Sequence, residues 1–228
     1  MSTTQLSTRR RRPIILAVTL GLAAAAVAAF AITPAFSGFT ASINNTNNTV
    51  GTGTLLMSET QGATTCLSSA AGTVTVANAG TCANINKFGG TTTAVPGTVY
   101  QSTVSIRNTG TIPASTFNLT PGDCVTAANG AINGTDAAGF CGKVDVTIAD
   151  VTNAGTPNCV LPAAAGACAA PSATTTLASM GTTPIALATP VAPGATRTYQ
   201  FSVMVDNSAT NAHQGLAANK PLTWAFAS

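Results

Sequence analysis

Apolar and polar residues alternate with a two-residue period in four segments of the chain, which is typical of strands with one face in a hydrophobic core. These segments cover residues 100–106, 143–150, 199–205 and 222–226. Weaker strand signals cover residues 53–59, 73–77, 116–120 and 174–180. Because many strands and Gly/Pro turns occur without a convincing amphipathic helix, the pattern predicts an all-β, antiparallel β-sandwich over residues 51–228.

Two of the predicted strands begin after the same dipeptide. Pro96-Gly97 precedes the strand at residues 100–106, and Pro193-Gly194 precedes the strand at residues 199–205. In a type II turn Pro fixes one backbone torsion and Gly accepts the positive φ of the next position. The repetition predicts that the two strands occupy equivalent edges of two sheets.

The first 35 residues have the three parts of a secretory signal peptide. Four consecutive arginines, residues 9–12, precede an uncharged apolar run over residues 13–32, and small residues close it around Pro34-Ala35. Cleavage between Ala35 and Phe36 would release the rest of the chain as a secreted, extracellular or cell-surface protein. Because the run is almost long enough for a membrane-spanning helix, an uncleaved anchor is the alternative.

Charge is scarce beyond residue 35. This part of the chain contains five basic and six acidic residues and has a formal net charge of −1, whereas the whole chain carries +3. We expect no nucleic-acid partner, since nucleic-acid binding requires a basic surface. A sparsely charged surface repels its own copies only weakly, which favours self-association.

Six cysteines lie beyond residue 35, and an even number in an oxidising compartment favours disulfides. Many pairings satisfy that count. We favour bonds between sequence neighbours because each neighbouring pair brackets a segment rich in Gly, Ala and Asn that has little core of its own. The favoured bonds are Cys66–Cys82, Cys124–Cys141 and Cys159–Cys168. A metal site is the weaker alternative, since the sequence has no Cys-x-x-Cys and a single histidine.

Several short motifs follow one another along the chain. They are Ala35-Phe36, Gly53-Thr54-Leu55, Pro96-Gly97 with Asn108-Thr109-Gly110, Asn211-Ala212-His213-Gln214-Gly215, and Leu222-Thr223-Trp224-Ala225-Phe226. In this order they resemble the TasA/camelysin family of secreted bacterial proteins, which carry a SipW-type signal peptide. The resemblance implies a jelly-roll-like β-sandwich and a role as a subunit of an extracellular matrix, biofilm or surface fibre. The cysteine pairs depart from the cysteine-poor pattern usual in that family.

In fibre-forming members of that family, the N-terminal segment of one subunit completes the sheet of the next. Here the candidate donor strand lies in residues 36–50, which contain no charge. Its apolar members are Phe36, Phe39, Ala41 and Ile43. Adding this segment to the open edge of a neighbour's sheet would pair both backbones and bury its apolar side chains. Repeated head-to-tail addition produces a filament. Pairing within one subunit and an unstructured terminus are the alternatives.

No catalytic motif is recognisable in the sequence, and we expect neither enzymatic activity nor a cofactor. His213 is interpreted as a loop residue ahead of the last strand. Camelysin-type proteins have been classed as metalloproteases, but His-Glu-x-x-His does not occur in this sequence. Asp145 and Asp150 flank a predicted strand and could bind calcium with loop carbonyls, although a solvated strand face is the simpler interpretation.

The sequence is therefore compatible with several alternative functions. The favoured one is a secreted structural subunit whose partners are copies of itself, the signal peptidase during export, and other matrix or cell-surface components. The main alternative is a monomeric secreted adhesin or binding module that uses its long disulfide-tied loops. A camelysin-like metalloprotease is the least favoured.

Overall fold

The computed structural model describes residues 42–70 and 73–228. The predicted signal peptide lies outside these ranges. Four predicted functional residues lie outside them as well: Ala35, Phe36, Phe39 and Ala41. Ile43 is the one predicted donor-strand residue that is described. No helix in the described ranges is both long and apolar enough to cross a bilayer.

Contacts divide the chain into two units, Met1–Val50 and Gly51–Ser228. The strands of the second unit are β1 (Met57–Gln61), β2 (Thr64–Leu67), β3 (Val99–Asn108), β4 (Thr116–Pro121), β5 (Val125–Ala128), β6 (Val144–Asp150), β7 (Asn158–Leu161), β8 (Ile185–Ala186), β9 (Thr196–Val205), β10 (Leu216–Asn219) and β11 (Leu222–Ala227). A short helix, α1 (Ala137–Phe140), and two 3₁₀ turns at Cys141–Lys143 and Asn211–His213 lie between strands.

The strands form three antiparallel sheets. The largest has six strands in the order β2-β1-β3-β9-β6-β7, and the others have the orders β11-β4-β8 and β10-β5. The chain crosses repeatedly between sheets, since β3, β6 and β9 belong to the six-stranded sheet and β4, β8 and β11 belong to the three-stranded one. Such crossings are typical of jelly-roll-like sandwiches. The prediction of an all-β, antiparallel sandwich is confirmed.

The strands β3 and β9 form the centre of the six-stranded sheet. They pair continuously from Val99↔Met204 to Arg107↔Thr196. The prediction that they occupy equivalent edges of two sheets is therefore wrong, because they are direct neighbours within one sheet. The predicted turn chemistry holds, since Gly97 has a φ of 78° and Gly194 has a φ of 76°. The shared Pro-Gly motif indicates a turn before each of these two central strands, but it does not predict where the strands lie in a sheet.

Two of the weaker strand predictions also fail. Residues 73–77 contain no strand. Within residues 174–180 only Thr176 pairs, as an isolated bridge to Asp145. Both segments are rich in Thr, and the first also contains two Val residues. These β-branched residues have strand propensity, but strand formation also requires a partner edge and a buried face.

Aromatic side chains connect the two main sheets. Phe117 of β4 lies 5.9 Å from Tyr199 of β9, measured between ring centroids, and 4.7 Å from Phe226 of β11. Trp224 of β11 lies 5.3 Å from Tyr199 and 6.1 Å from Phe201. Such tilted and edge-on contacts add to the stabilisation from burial itself. The aromatic cluster therefore holds the three-stranded sheet against the centre of the six-stranded sheet.

All six cysteines form disulfides, and the predicted neighbour pairing is confirmed. The bonds join Cys66 to Cys82, Cys124 to Cys141, and Cys159 to Cys168. The paired residues are 16, 17 and 9 positions apart, so each bond closes one local excursion of the chain. Three disulfides are compatible with an extracellular or secreted protein.

We predict that Phe117→Ala lowers the free energy of unfolding by about 3–5 kcal/mol, because the side chain is 1% exposed and its removal leaves a cavity between the sheets. Urea unfolding measures the change. Thr116→Ala, one residue earlier on the exposed face of β4, is the matched control and should shift stability by at most about 0.5 kcal/mol. Equal effects of the two substitutions would contradict the assigned packing of β4.

Candidate functional site

The strand β11 forms an edge of the three-stranded sheet. One side of it pairs with β4, from Leu222↔Pro121 to Ala227↔Thr116. On its other side, no strand of the described ranges adds to the sheet. Exposed edges present unpaired backbone groups to any further strand, and proteins commonly protect them with charges, prolines or bulges. The six residues of β11 contain neither a charge nor a proline, so this edge lacks two of those protections.

The backbone geometry shows which groups face the open side. The N–H of Gly122 donates to the carbonyl oxygen of Pro221 over 2.8 Å. In an antiparallel ladder such hydrogen-bonded positions recur at every second residue. Counting from Pro221, the odd-numbered residues of β11 direct their backbone groups to β4. Leu222, Trp224 and Phe226 direct theirs to the open side, where a further strand could bind them.

The side chains of β11 alternate as the sequence predicts. Leu222, Trp224 and Phe226 turn inward and are partly buried. The residues between them are exposed. The inward side chains are large and apolar because they complete the aromatic cluster of the core. These three residues therefore direct their side chains into the core and their backbone hydrogen-bonding groups to the open edge of the sheet.

A groove of about 640 Å³ lies beside these inward side chains. We call it the β11 groove. One wall is β11, and the opposite wall is formed by β1 and the residues just before it. Its apolar lining comprises Leu55, Leu56, Met57, Leu67, Leu222, Trp224 and Phe226. Polar residues line the groove as well, among them Glu59, Lys87 and Asn78. Clefts of this size that combine apolar walls with a few placed polar groups are typical of binding sites.

A disulfide-tied loop at residues 77–82 forms a third wall of the β11 groove. The Cys66–Cys82 bond fixes one end of the loop to β2. Asn78 fixes the other end, because its side-chain amide donates to the carbonyl oxygen of Leu55 over 3.2 Å. Asn78 also has a φ of 44°, a left-handed conformation that asparagine tolerates better than most residues. The loop is thus held against the wall of the groove at two points.

A central bridge of three side chains spans the β11 groove. The indole Nε1 of Trp224 donates to Oε1 of Glu59 over 2.8 Å, and the Nζ of Lys87 lies 2.6 Å from the same oxygen. The two charged side chains are only 9% and 11% exposed. Lys87 also lies 5.8 Å from the centroid of the Trp224 ring, within the range of a cation–π interaction. Because Glu59 belongs to β1, the bridge joins the two main sheets.

We predict that Lys87→Met lowers the free energy of unfolding by about 3 kcal/mol, because it leaves the Glu59 carboxylate buried without its counter-charge. The double variant Glu59→Gln, Lys87→Met should recover most of this loss, since a glutamine side-chain oxygen can still accept from Trp224 and carries no charge. Chemical unfolding of both single variants and the double variant measures the coupling. Additive losses would contradict a buried ion pair.

Neither Glu59 nor Lys87 was predicted from the sequence to be a site residue, and Trp224 was predicted only as part of a strand. A signal was present, since Glu59 and Lys87 are the only charged residues between positions 36 and 106. Two opposite charges, isolated in so uncharged a stretch, indicate that they pair with each other. Their contact with the last strand could not be read from the sequence, because it joins residues 165 positions apart.

The described part of the candidate donor segment is residues 42–50. It contains no helix or strand, and all nine residues are exposed. The side chain of Ile43 is 99% exposed and that of Val50 is 100% exposed. Burial of such exposed, large apolar side chains against a partner lowers the free energy of the system.

His213 lies in a second cavity of about 520 Å³, between the two-stranded sheet and the six-stranded one. Its Nδ1 accepts a hydrogen bond from the backbone N–H of Thr210 over 3.1 Å. Its Nε2 lies 3.2 Å from Oδ2 of Asp136, but without the alignment of a hydrogen bond. The ring is 8% exposed and caps the 3₁₀ turn at Asn211–His213. These contacts give His213 a structural role within the turn, which agrees with its position ahead of the last two strands.

Asp145 contradicts the interpretation of a solvated strand face, since it is 0% exposed. Asp145 and Asp150 lie on opposite faces of β6, because five positions separate them and side chains alternate along a strand. Neither carboxylate oxygen of Asp145 has a hydrogen-bond donor among the described residues. The Asp206 side chain is close enough for a hydrogen bond, which forms only if one of the two carboxyl groups is protonated. Burial, and then the charge of Asp206, raise the pKa of Asp145, while Lys143 opposes the shift.

We predict that Asp145→Asn raises the free energy of unfolding by about 1–2 kcal/mol at pH 7 and has no effect near pH 3. The folded state holds the proton of Asp145 more tightly than the unfolded state does. Its contribution to stability is therefore complete below the ordinary pKa of 3.8 and is lost as the pH rises through the raised folded value. Urea unfolding of both proteins across this range measures the effect. A substitution that destabilises equally at both pH values would contradict the raised pKa.

No group of three or more His, Cys, Asp or Glu side chains in residues 42–70 and 73–228 is arranged to hold a metal ion. Neither a protein-family model nor a curated protein matches the chain in sequence comparisons. The interpretation of the site therefore depends on its own geometry.

Proposed function

We propose that this protein is a secreted structural subunit of an extracellular fibre or biofilm matrix. In this proposal residues 36–50 of one subunit add to the open edge of β11 in the next subunit. The observation that supports it best is the combination of a strand edge without charges or prolines and an adjacent groove with large apolar side chains in its walls. The resemblance to secreted fibre-forming proteins in the order of sequence motifs points the same way.

The chemistry of the two surfaces is complementary. The open edge of β11 offers the backbone groups of three residues, and the groove offers apolar walls. The donor segment offers an uncharged backbone with a few large apolar side chains. Strand addition satisfies both requirements, since main-chain hydrogen bonds provide affinity and alternate side chains fill the groove. Glu59 and Lys87 neutralise each other, so the groove does not require a charged partner.

The geometry of such addition favours filaments. The donor segment and the acceptor edge are different surfaces of one subunit, so each added subunit presents a new free edge. A contact between two different surfaces closes into a ring only for particular rotations and otherwise extends without limit. The low net charge beyond residue 35 means that neighbouring subunits repel each other weakly.

We predict that the chain starting at Phe36 assembles into filaments, whereas a chain starting at Gly51 stays monomeric because it lacks the donor strand. Electron microscopy and analytical ultracentrifugation of both proteins, concentrated under oxidising conditions, measure the difference. Circular dichroism and thermal unfolding provide the control that the shorter chain keeps its sandwich. If the longer chain stays monomeric, the proposed function fails and a monomeric adhesin or binding module takes its place.

A further inference from the structure

The β11 groove is not uniform along its length. At its centre, Trp224 reaches across to Glu59 on the opposite sheet, so side chains of the protein itself fill the space between the walls. Leu222 and Phe226 lie two residues to either side of Trp224 on the same inward face. The central bridge therefore crosses the groove between the part beside Leu222 and the part beside Phe226, which we call its two compartments. At its centre, a strand that adds to β11 meets Trp224 already in contact with Glu59, whereas beside Leu222 and Phe226 it meets apolar side chains that line the groove.

This shape places a requirement on the incoming strand. Its inward side chains lie at every second residue and become lateral neighbours of the inward side chains of β11. The residue beside Trp224 must be small, and the residues two positions before and after it must be large and apolar. The middle residue must also be uncharged, because Glu59 and Lys87 are already paired.

Within residues 36–50, a single stretch has this pattern. It is Phe39-Thr40-Ala41-Ser42-Ile43, in which a small residue lies between two large apolar ones at two-residue spacing. Because Ala41 is at the centre, it lies beside Trp224 whether the donor strand runs parallel or antiparallel to β11. The described member of this stretch, Ile43, is 99% exposed in its own chain.

We propose that Trp224 and the central bridge set the register of assembly by accepting Ala41 of a second copy, with Phe39 and Ile43 of that copy in the two compartments. This inference rests on the proposed function and specifies its contact. The acceptor distinguishes donors by the size of one side chain, and its partner is a second copy of this chain. Thr40 and Ser42 of the donor face away from the groove.

The test compares two substitutions that add the same aromatic ring to adjacent positions. Ala41→Phe places the ring against the central bridge, where overpacking opposes binding, and we expect it to raise the critical concentration for assembly by about tenfold or more. Thr40→Phe places the ring on the outer face, and we expect a change of at most about twofold. Sedimentation of the chains starting at Phe36 measures both values, and both substitutions lie outside residues 51–228.

Trp224 is the only tryptophan in the chain, so its fluorescence reports directly on the contact. We expect its emission to shift to shorter wavelength when the unsubstituted chain and Thr40→Phe assemble, since the donor strand excludes water from the indole. Normal assembly of Ala41→Phe, equal impairment of both variants, or filaments without an emission change would overturn the register while leaving strand exchange intact. If the unsubstituted chain does not assemble at all, the proposed function fails and this inference fails with it.

Discussion

The backbone of a β-strand carries hydrogen-bonding groups on both sides, and leaving one side without partners creates a site of association. In the centre of the six-stranded sheet this demand is met, because β9 lies between β3 and β6 along most of its length. At β11 it is met on one side only. The open side of β11 also adjoins a groove of about 640 Å³, which is lined by the large, partly buried apolar side chains of this strand. The unpaired side of β11 is thus the feature on which the proposed assembly depends.

The central bridge reconciles two conflicting demands on the groove. In the proposed assembly the groove must stay open enough to receive a strand, but two sheets that separate along an open edge lose core contacts. The Trp224–Glu59 hydrogen bond holds the sheets together at one point, and Lys87 neutralises the carboxylate that it requires. A buried ion pair of this kind adds little net stability over apolar packing, but its geometry is specific. The bridge therefore defines the shape of the groove more than it stabilises the fold.

Much of the fold could be predicted from the sequence, because local alternation encodes it. The pattern of Val144, Val146 and Ile148 identified β6, and the pattern of Leu222, Trp224 and Phe226 identified β11. Neighbour pairing of the cysteines was predictable because each pair closes a short segment with little core of its own. The adjacency of β3 and β9 was not, since a shared turn motif describes how a strand begins and not which strand lies beside it. Burial of Asp145 also escaped prediction, because the residues that lie beside it, such as its bridge partner Thr176, come from other segments of the chain.

Part of the candidate site could likewise be inferred from the sequence. The uncharged donor segment at residues 36–50 and the last strand were recognisable in the sequence. The pairing of Glu59 with Lys87 was not, because it depends on how the chain folds back on itself. A contact between residues 165 positions apart cannot be inferred from the local periodicity of a single sequence. The isolation of these two charges was a usable signal, whereas their meeting with an indole was not.

The position of the cystines has a consequence for how this protein can vary. Each of the three bonds joins residues no more than 17 positions apart, and at least one partner in each bond lies outside the strands, so none of them ties one main sheet to the other. Each bond fixes the two ends of one excursion to each other, although β5, inside the Cys124–Cys141 excursion, pairs with β10 outside it. Exposed loop tips within such excursions tolerate insertion, deletion or replacement while the sandwich beneath stays the same. The outer surface can therefore diversify rapidly on an unchanged scaffold.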